Sequence, residues 1–213
     1  ENLSFSVQEG NIVSILGASG SGKTTILRLI IGLDTYNQGT IHYQDKEVRE
    51  WDLVAIRRSA GLVAQLPYLF NGTVAENILF APTLHGELPK QTDPFVSDLL
   101  SRVGLPENLS TRNTHELSVG QQMRVSLART LANTPKMLLL DEPTASLDRT
   151  SSSQILELIR SLNRDQGLTI LAVTHDMDSV RSLDGHSLFL HDGHIEEQGP
   201  TDTLLRSPQS PVL

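Results

Sequence analysis

The stretch that most restricts this chain forces a short apolar run straight into a glycine-rich loop and then into a helix. Gly17, Ala18, Ser19, Gly20, Ser21, Gly22, Lys23 and Thr24 spell Gly-x-x-x-x-Gly-Lys-Ser/Thr, between the apolar run Ile12 to Leu16 and a helical pattern from Thr25 to Ile31. Glycines let the backbone curl until successive N–H groups surround an anion, and a helix N-terminus adds positive potential. In that strand-to-helix context the pattern predicts a loop that cradles the phosphates of a nucleoside triphosphate. Lys23 would reach the β/γ-phosphates, Thr24 would ligate Mg²⁺, and Thr25 follows as the last of the nucleotide-binding residues.

Composition bounds the partners. At 213 residues the chain is long enough for one domain with a subdomain inserted in it. A net charge of -8 and a pI near 5.3 argue against a basic face for DNA or RNA, so no nucleic-acid partner is expected. There is no cysteine, which excludes disulfides, thiolate metal sites and cysteine nucleophiles. No apolar run approaches the ~20 residues needed to span a bilayer, and no basic-then-apolar leader opens the chain. The expectation is a cytoplasmic protein that reaches a membrane only through a partner.

Residues Leu3 to Val7 alternate and predict a strand, with a turn at Glu9-Gly10-Asn11 and a second strand from Ile12 to Leu16. A turn at Asn37-Gln38-Gly39 leads to a short strand from Thr40 to Tyr43, and residues 60–65 read as a buried strand ending at Gln65. From Pro67 to Leu117 the prolines 82, 89, 94 and 106 punctuate short helical segments, the clearest from Phe95 to Val103. Strands and helices then alternate: a helix from Gly120 to Ala132, a strand from Met137 to Leu140, a helix from Ser153 to Leu162 and a strand from Thr169 to Val173. Ser187 to Leu190, Asp192-Gly193 and His194 to Glu196 predict a closing hairpin, and Ser207 to Leu213 are expected to fray. The pattern implies an α/β fold with a mostly parallel sheet, residues 1–66 and 118–213 forming the core and 67–117 an inserted α-helical subdomain.

Met137 to Leu140 runs into Asp141 and Glu142, which places two carboxylates at the carboxyl end of a buried strand, where open α/β sheets bind ligands. Asp141 can hold Mg²⁺ there, and Glu142 is the natural general base for an attacking water. Leu117, Ser118, Val119, Gly120 and Gln121 resemble the signature of the ATP-binding-cassette (ABC) ATPases. Gln65 after a strand, Ala145 to Asp148 after the acidic pair and Thr174-His175-Asp176 after the last core strand follow that family's order. The chain is identified as a member on these motifs.

The resemblance implies a P-loop NTPase core with a small antiparallel β subdomain, using ATP and Mg²⁺. It implies that two cassettes, most simply a homodimer, meet head to tail and share two ATP molecules. Ser118, Val119, Gly120 and Gln121 would then serve the partner subunit's ATP, and Asp148 the dimer contact. Gln65 would sense Mg²⁺ and water, joining Thr24 and Asp141 as a metal residue, while His175 would hold Glu142 and water in place. Val119 departs from the family's commoner glycine, and the aromatic on which the family stacks adenine is expected upstream of Glu1. Pro67 to Ile78 resembles the same segment of export-type and metal-export-type cassettes, where Leu69, Phe70 and Val74 would lie against the membrane subunits. The implied function is the peripheral ATPase subunit of a transporter, on the cytoplasmic membrane face beside integral permease subunits. The alternative is a non-transport cassette acting on ribosomes or DNA. His191 to His194 reads as a solvated turn, and Arg57, Arg58 and Arg124 as surface or capping charges.

Overall fold

Apolar residues at alternate positions of the central strands face opposite sides, and both sides are covered. The computed structural model describes residues 3–89 and 92–210. A six-stranded sheet has the order β4-β5-β6-β1-β7-β8. These strands are β1 (Ile12–Gly17), β4 (Ala60–Val63), β5 (Met137–Asp141), β6 (Thr169–Thr174), β7 (His186–His191) and β8 (His194–Pro200). The first five pair in parallel and β8 turns back antiparallel. A two-stranded antiparallel sheet, β2 (His42–Tyr43) with β3 (Lys46–Glu47), stands apart.

The pleat of β5 shows how the layers form. Leu138 and Leu140 face one core with Val63, Ile170 and Ala172, and Met137 and Leu139 face the other with Val13, Ile15 and Leu171. On the first side pack α3 (Val74–Leu84), α4 (Thr92–Arg102), α5 (Val119–Leu131) and α6 (Arg149–Gln166); on the second, α1 (Lys23–Ile30) and α2 (Leu53–Ser59). The short helices α7 (Met177–Leu183) and α8 (Thr201–Arg206) close the β6–β7 crossover and the end of the described chain.

Several expectations shift. Leu3 to Val7 belong to no strand, although Leu3, Phe5 and Val7 rest half-buried on the second core. Alternation reports a one-sided burial, and a segment laid on a core without a ladder partner satisfies it equally well. The Thr40 to Tyr43 strand is paired only at His42 and Tyr43, because Gln44 (φ 51°) and Asp45 (φ 61°) turn the chain at once. The strand after residue 60 ends at Val63, before Gln65. Pro82 does not end a segment; it sits inside the last turns of α3, which runs on to Leu84. The helix expected from Ser153 starts at Arg149, where the Asp148 cap begins it. Within 207–210 there is no regular element, and residues 211–213 of the expected frayed end lie outside the described residues.

Candidate active site

Four adjacent parallel strands, β4, β5, β6 and β1, deliver the predicted residues to one edge of the sheet. Register aligns Val63 with Leu140, Asp141 with Val173 and Leu16 with Thr174. Gln65, Asp141, Glu142, Thr174, His175 and the glycine-rich loop therefore all lie at or just beyond the carboxyl ends of neighbouring strands, though more than a hundred positions separate some of them in sequence.

The loop closes from Gly17 to the start of α1. Gly20 (φ 82°) and Gly22 (φ 98°) adopt left-handed backbone that side-chain-bearing residues disfavour. Gly17 is needed for a different reason: a Cβ there would lie 2.3 Å from the Leu190 carbonyl oxygen on β7. Lys23 is buried, and its ammonium donates to the carbonyls of Gly17 and Ala18, at 2.8 Å each, spanning the loop from within. The Ser21 hydroxyl is buried with no hydrogen-bond partner among the described residues. An unpartnered buried donor inside a ring of glycine backbone is what an incoming phosphate oxygen would satisfy, so the loop fits that group.

Thr24 Oγ1 donates to Asp141 Oδ1 at 2.9 Å, bringing two hard oxygens together at the loop's edge. Burial, seconded by the neighbouring Glu142 charge, raises the Asp141 carboxyl above its ordinary range, against the Thr24 hydrogen bond and the Lys23 charge. A hydroxyl and a carboxylate oxygen at that spacing suit Mg²⁺, which takes few protein ligands and keeps waters and phosphate oxygens for the rest. Among the described residues no cluster of three or more His, Cys, Asp or Glu forms a closed metal cage.

Glu142 turns left-handed at φ 49°, its N–H donating to Val173 O at 2.9 Å. The turn aims its carboxylate back across the site, 3.9 Å from Lys23 Nζ. Thr174 Oγ1 donates to Glu142 Oε2 at 3.2 Å, and His175 Nδ1 lies 2.9 Å from both carboxylate oxygens. Glu142 is 12% exposed and His175 54% exposed, so the carboxylate is shielded while the imidazole opens to solvent. Thr174 had no role assigned from sequence; its place at the end of β6, next to His175, was the available signal.

The ABC transporter family profile matches residues 1–145. The chain belongs to the ABC transporter family. The cassette is 39% identical over 197 residues to ABC transporter I family member 17 of Arabidopsis thaliana, covering 92% of this chain and 74% of that protein. It is 38% identical over 210 residues to the putative ABC transporter ATP-binding protein YjkB of Bacillus subtilis, covering 98% and 82%. Among solved structures, cbiO1 from Clostridium perfringens, part of the ABC transporter complex cbiONQ, superposes with a TM-score of 0.86 at 30% identity, covering 97% of this chain and 88% of that one. The cassette MJ0796, in a dimeric post-hydrolysis state with ADP and Pi, gives 0.83 at 33%, covering 94% and 90%. ABC ATP-binding proteins are ATPases, and this cassette is one.

The signature residues cap a helix. Ser118 Oγ accepts from the Gln121 N–H at 3.3 Å while Gln121 Oε1 accepts from the Ser118 N–H at 3.0 Å, a reciprocal cap at the start of α5. Val119 is 45% exposed beside it, an apolar side chain held out to solvent. Asp148 caps α6, accepting from the Ser151 N–H and hydroxyl, which hold its carboxyl below the usual range. Gln65 is exposed just beyond β4. Of the apolar residues expected at a partner surface, Val74 is buried and Leu69 half-buried against the core; Phe70 is exposed, its ring tilted 37° against that of Phe80 with centroids 4.3 Å apart, and edge-on to Tyr68. His191 faces His194 across the closing turn. Arg57 caps α1 through the Ile31 and Gly32 carbonyls, Arg58 pairs with Glu87 and Arg124 donates to the Val103 carbonyl.

Proposed function

We propose that this cassette is the energising ATPase subunit of a membrane transporter, in which two copies close head to tail on two ATP molecules and open after hydrolysis. The carboxylate of Glu142, gripped by Lys23, Thr174 and His175 at the mouth of the phosphate loop, carries the reading. Lys23, Gly17 to Gly22, Thr24 and Thr25 bind the triphosphate. Glu142 takes the proton of an attacking water, and His175, with a proton on Nδ1, fixes the carboxylate that does so. Thr24, Asp141 and Gln65 would hold Mg²⁺, which when bound would neutralise charge on the phosphate oxygens. Ser118, Val119, Gly120 and Gln121 present the amino end of α5 to the partner's nucleotide, and Asp148 meets the partner chain.

Residues 67–117 act as the helical subdomain, and the aromatic face of Tyr68, Phe70 and Phe80 is the contact for permease subunits at the cytoplasmic face of the membrane. Among the described residues no helix is long and apolar enough to cross a membrane. Relatives named as transporter components support the same reading over the ribosome or DNA alternative. Direction is no part of it, because a protein named for methionine import, MetN of Caulobacter vibrioides, matches at 39% identity.

Glu142→Gln tests it. Turnover should fall by about 100- to 10,000-fold, the loss of a general base, while ATP drives the variant into a stable dimer. A Glu142→Gln protein that stays monomeric in saturating ATP by light scattering ends the shared-site reading. Capture of the same variant from gently solubilised native membranes should bring a multi-span protein in stoichiometric amount; ribosomal or repair proteins instead would end the transport reading.

A further inference from the structure

Arg58, Arg102 and Arg124 are half-buried arginines, and each is answered: Arg58 pairs with Glu87, Arg102 with Asp98, and Arg124 donates to the Val103 carbonyl and to Gln154. Arg129, in the last turn of α5, is half-buried too and is not answered. Its Nη1 is buried with no hydrogen-bond partner, and among the described residues no ion pair reaches the guanidinium. Burial alone pulls that group below the ordinary arginine range, with no carboxylate near enough to oppose it. What it does meet is the Phe70 ring, whose centre lies 5.3 Å away. Such a contact steadies a cation but supplies no anion.

That ring is fixed from behind. The Phe70 N–H donates to Asn77 Oδ1 at 2.8 Å, and the Phe70 carbonyl accepts from Asn77 Nδ2 at 3.1 Å and from Thr114 Oγ1 at 3.0 Å. Asn77 and Thr114 are both buried, so these bonds are shielded from water. The ring they hold is nonetheless open to solvent, beside exposed Phe80 and Tyr68, with Leu66 and Leu84 exposed at either end of the same stretch. The face is therefore incomplete twice over: it keeps apolar area in water, and it shelters a cation that has no counter-ion. One occupant answers both, an apolar segment bearing a carboxylate. The chain's net charge of -8 gives an acidic segment no general reason to approach, so the attraction at this spot is local to Arg129.

We propose that this face seats a segment of the membrane subunit that carries an aspartate or glutamate, whose carboxylate pairs with Arg129 while a neighbouring apolar side chain covers Phe70 and Phe80. The inference rests on the transporter reading and adds to it the chemistry of the partner's segment. Asn77 and Thr114 are positioning residues in it, since they set the ring against which both the cation and the incoming segment lie. The planar fork of an arginine suits a carboxylate better than a lysine would.

The test takes the Glu142→Gln cassette, captured with its partner from gently solubilised native membranes, as the parent. Adding Arg129→Met, which keeps the bulk and removes the charge, should lower recovery of the membrane subunit by about tenfold or more. The same protein should still dimerise in ATP as the parent does. Adding Arg129→Lys should keep part of the capture. Carbodiimide, which joins an amine to a carboxylate with no spacer, should then link position 129 to an aspartate or glutamate of the membrane subunit, located by mass spectrometry of the joined peptides. An Arg129→Met protein that recovers as much membrane subunit as the parent overturns the proposal. So does one that loses capture and ATP-driven dimerisation together, which is what a general packing role would give. An Arg129→Lys complex that links position 129 only within the cassette, or not at all, overturns it as well. A parent that captures no membrane subunit overturns the transporter reading itself, and this inference with it.

Discussion

Lys23 and Gly17 are the two residues of the loop whose chemistry can be separated by substitution. Lys23 Nζ occupies the inside of the loop, bonded to two neutral carbonyls. Transfer to a phosphate exchanges those for a bond to an anion, worth about 1.5–3 kcal/mol. Lys23→Ala should therefore weaken ATP binding by about 10- to 100-fold, read by fluorescent-nucleotide titration, with the fold intact by circular dichroism. Gly17→Ala should do the reverse. Its Cβ would press on the Leu190 carbonyl at 2.3 Å, and that carbonyl is fixed by the β1–β7 ladder. Overpacking of this kind costs about 1–3 kcal/mol, so Tm should fall before any change in nucleotide affinity is measured. At this scale sequence was informative because the loop is local: eight consecutive residues make their own pocket. It was less informative where a role depends on remote neighbours. Nothing near Thr174 in the chain says that its hydroxyl will meet Glu142, and nothing near Arg129 says that its guanidinium will lie over the Phe70 ring.

Helix caps decide where several elements begin, and the site uses two of them. Ser118→Ala removes half of a reciprocal cap, a loss of about 1 kcal/mol, and should lower the urea midpoint slightly. If Ser118 also faces the partner's nucleotide, ATP-driven dimerisation should be lost far beyond what that small change explains; equal modest losses in both would leave Ser118 as a cap only. Asp148 adds a pH signature. Its carboxyl is held below the usual range in the folded chain, chiefly by the Ser151 hydroxyl and then by the Ser151 N–H. The unfolded chain therefore takes up the proton first as pH falls. The cap's contribution is complete above the unfolded carboxylate range and is lost as pH drops through the lower folded value. The gap in urea midpoint between wild type and Asp148→Ala should be constant from neutral pH down to about pH 4 and narrow below it. Capping also explains which elements were legible. The long periodic helices α5 and α6 and the apolar run Met137 to Leu140 of β5 announce themselves, whereas α2 and α7 are single-face segments of seven residues, too short for periodicity. Their signal was the aspartate before each, Asp52 and Asp176, whose side chains accept the first free N–H groups.

The whole cassette makes a prediction that no single residue or element makes. Its phosphate loop, Asp141, Glu142 and His175 form one constellation at a sheet edge, while Ser118 to Gln121 form another at the start of a helix packed on the opposite core. The parallel pairing of the strands could be anticipated from alternating strands and helices, whereas the meeting of these two constellations was implied only by the family resemblance, because it would occur between chains. If a head-to-tail pair builds each working site from the loop of one copy and the signature of the other, Lys23→Ala and Ser118→Ala should each be inactive alone. Mixed in equal amounts, half of the pairs should contain one of each. In such a pair the Ser118→Ala copy supplies an intact loop and the Lys23→Ala copy an intact signature, so one site is whole and the other doubly broken. Activity should therefore reappear on mixing, rising with protein concentration as pairs form and approaching about a quarter of the wild-type level where the two sites act independently. A lower plateau would measure how strongly one site depends on the other. Sites complete within a single chain would give the opposite result, since neither variant could supply what the other lacks and the mixture would stay as inactive as its parts.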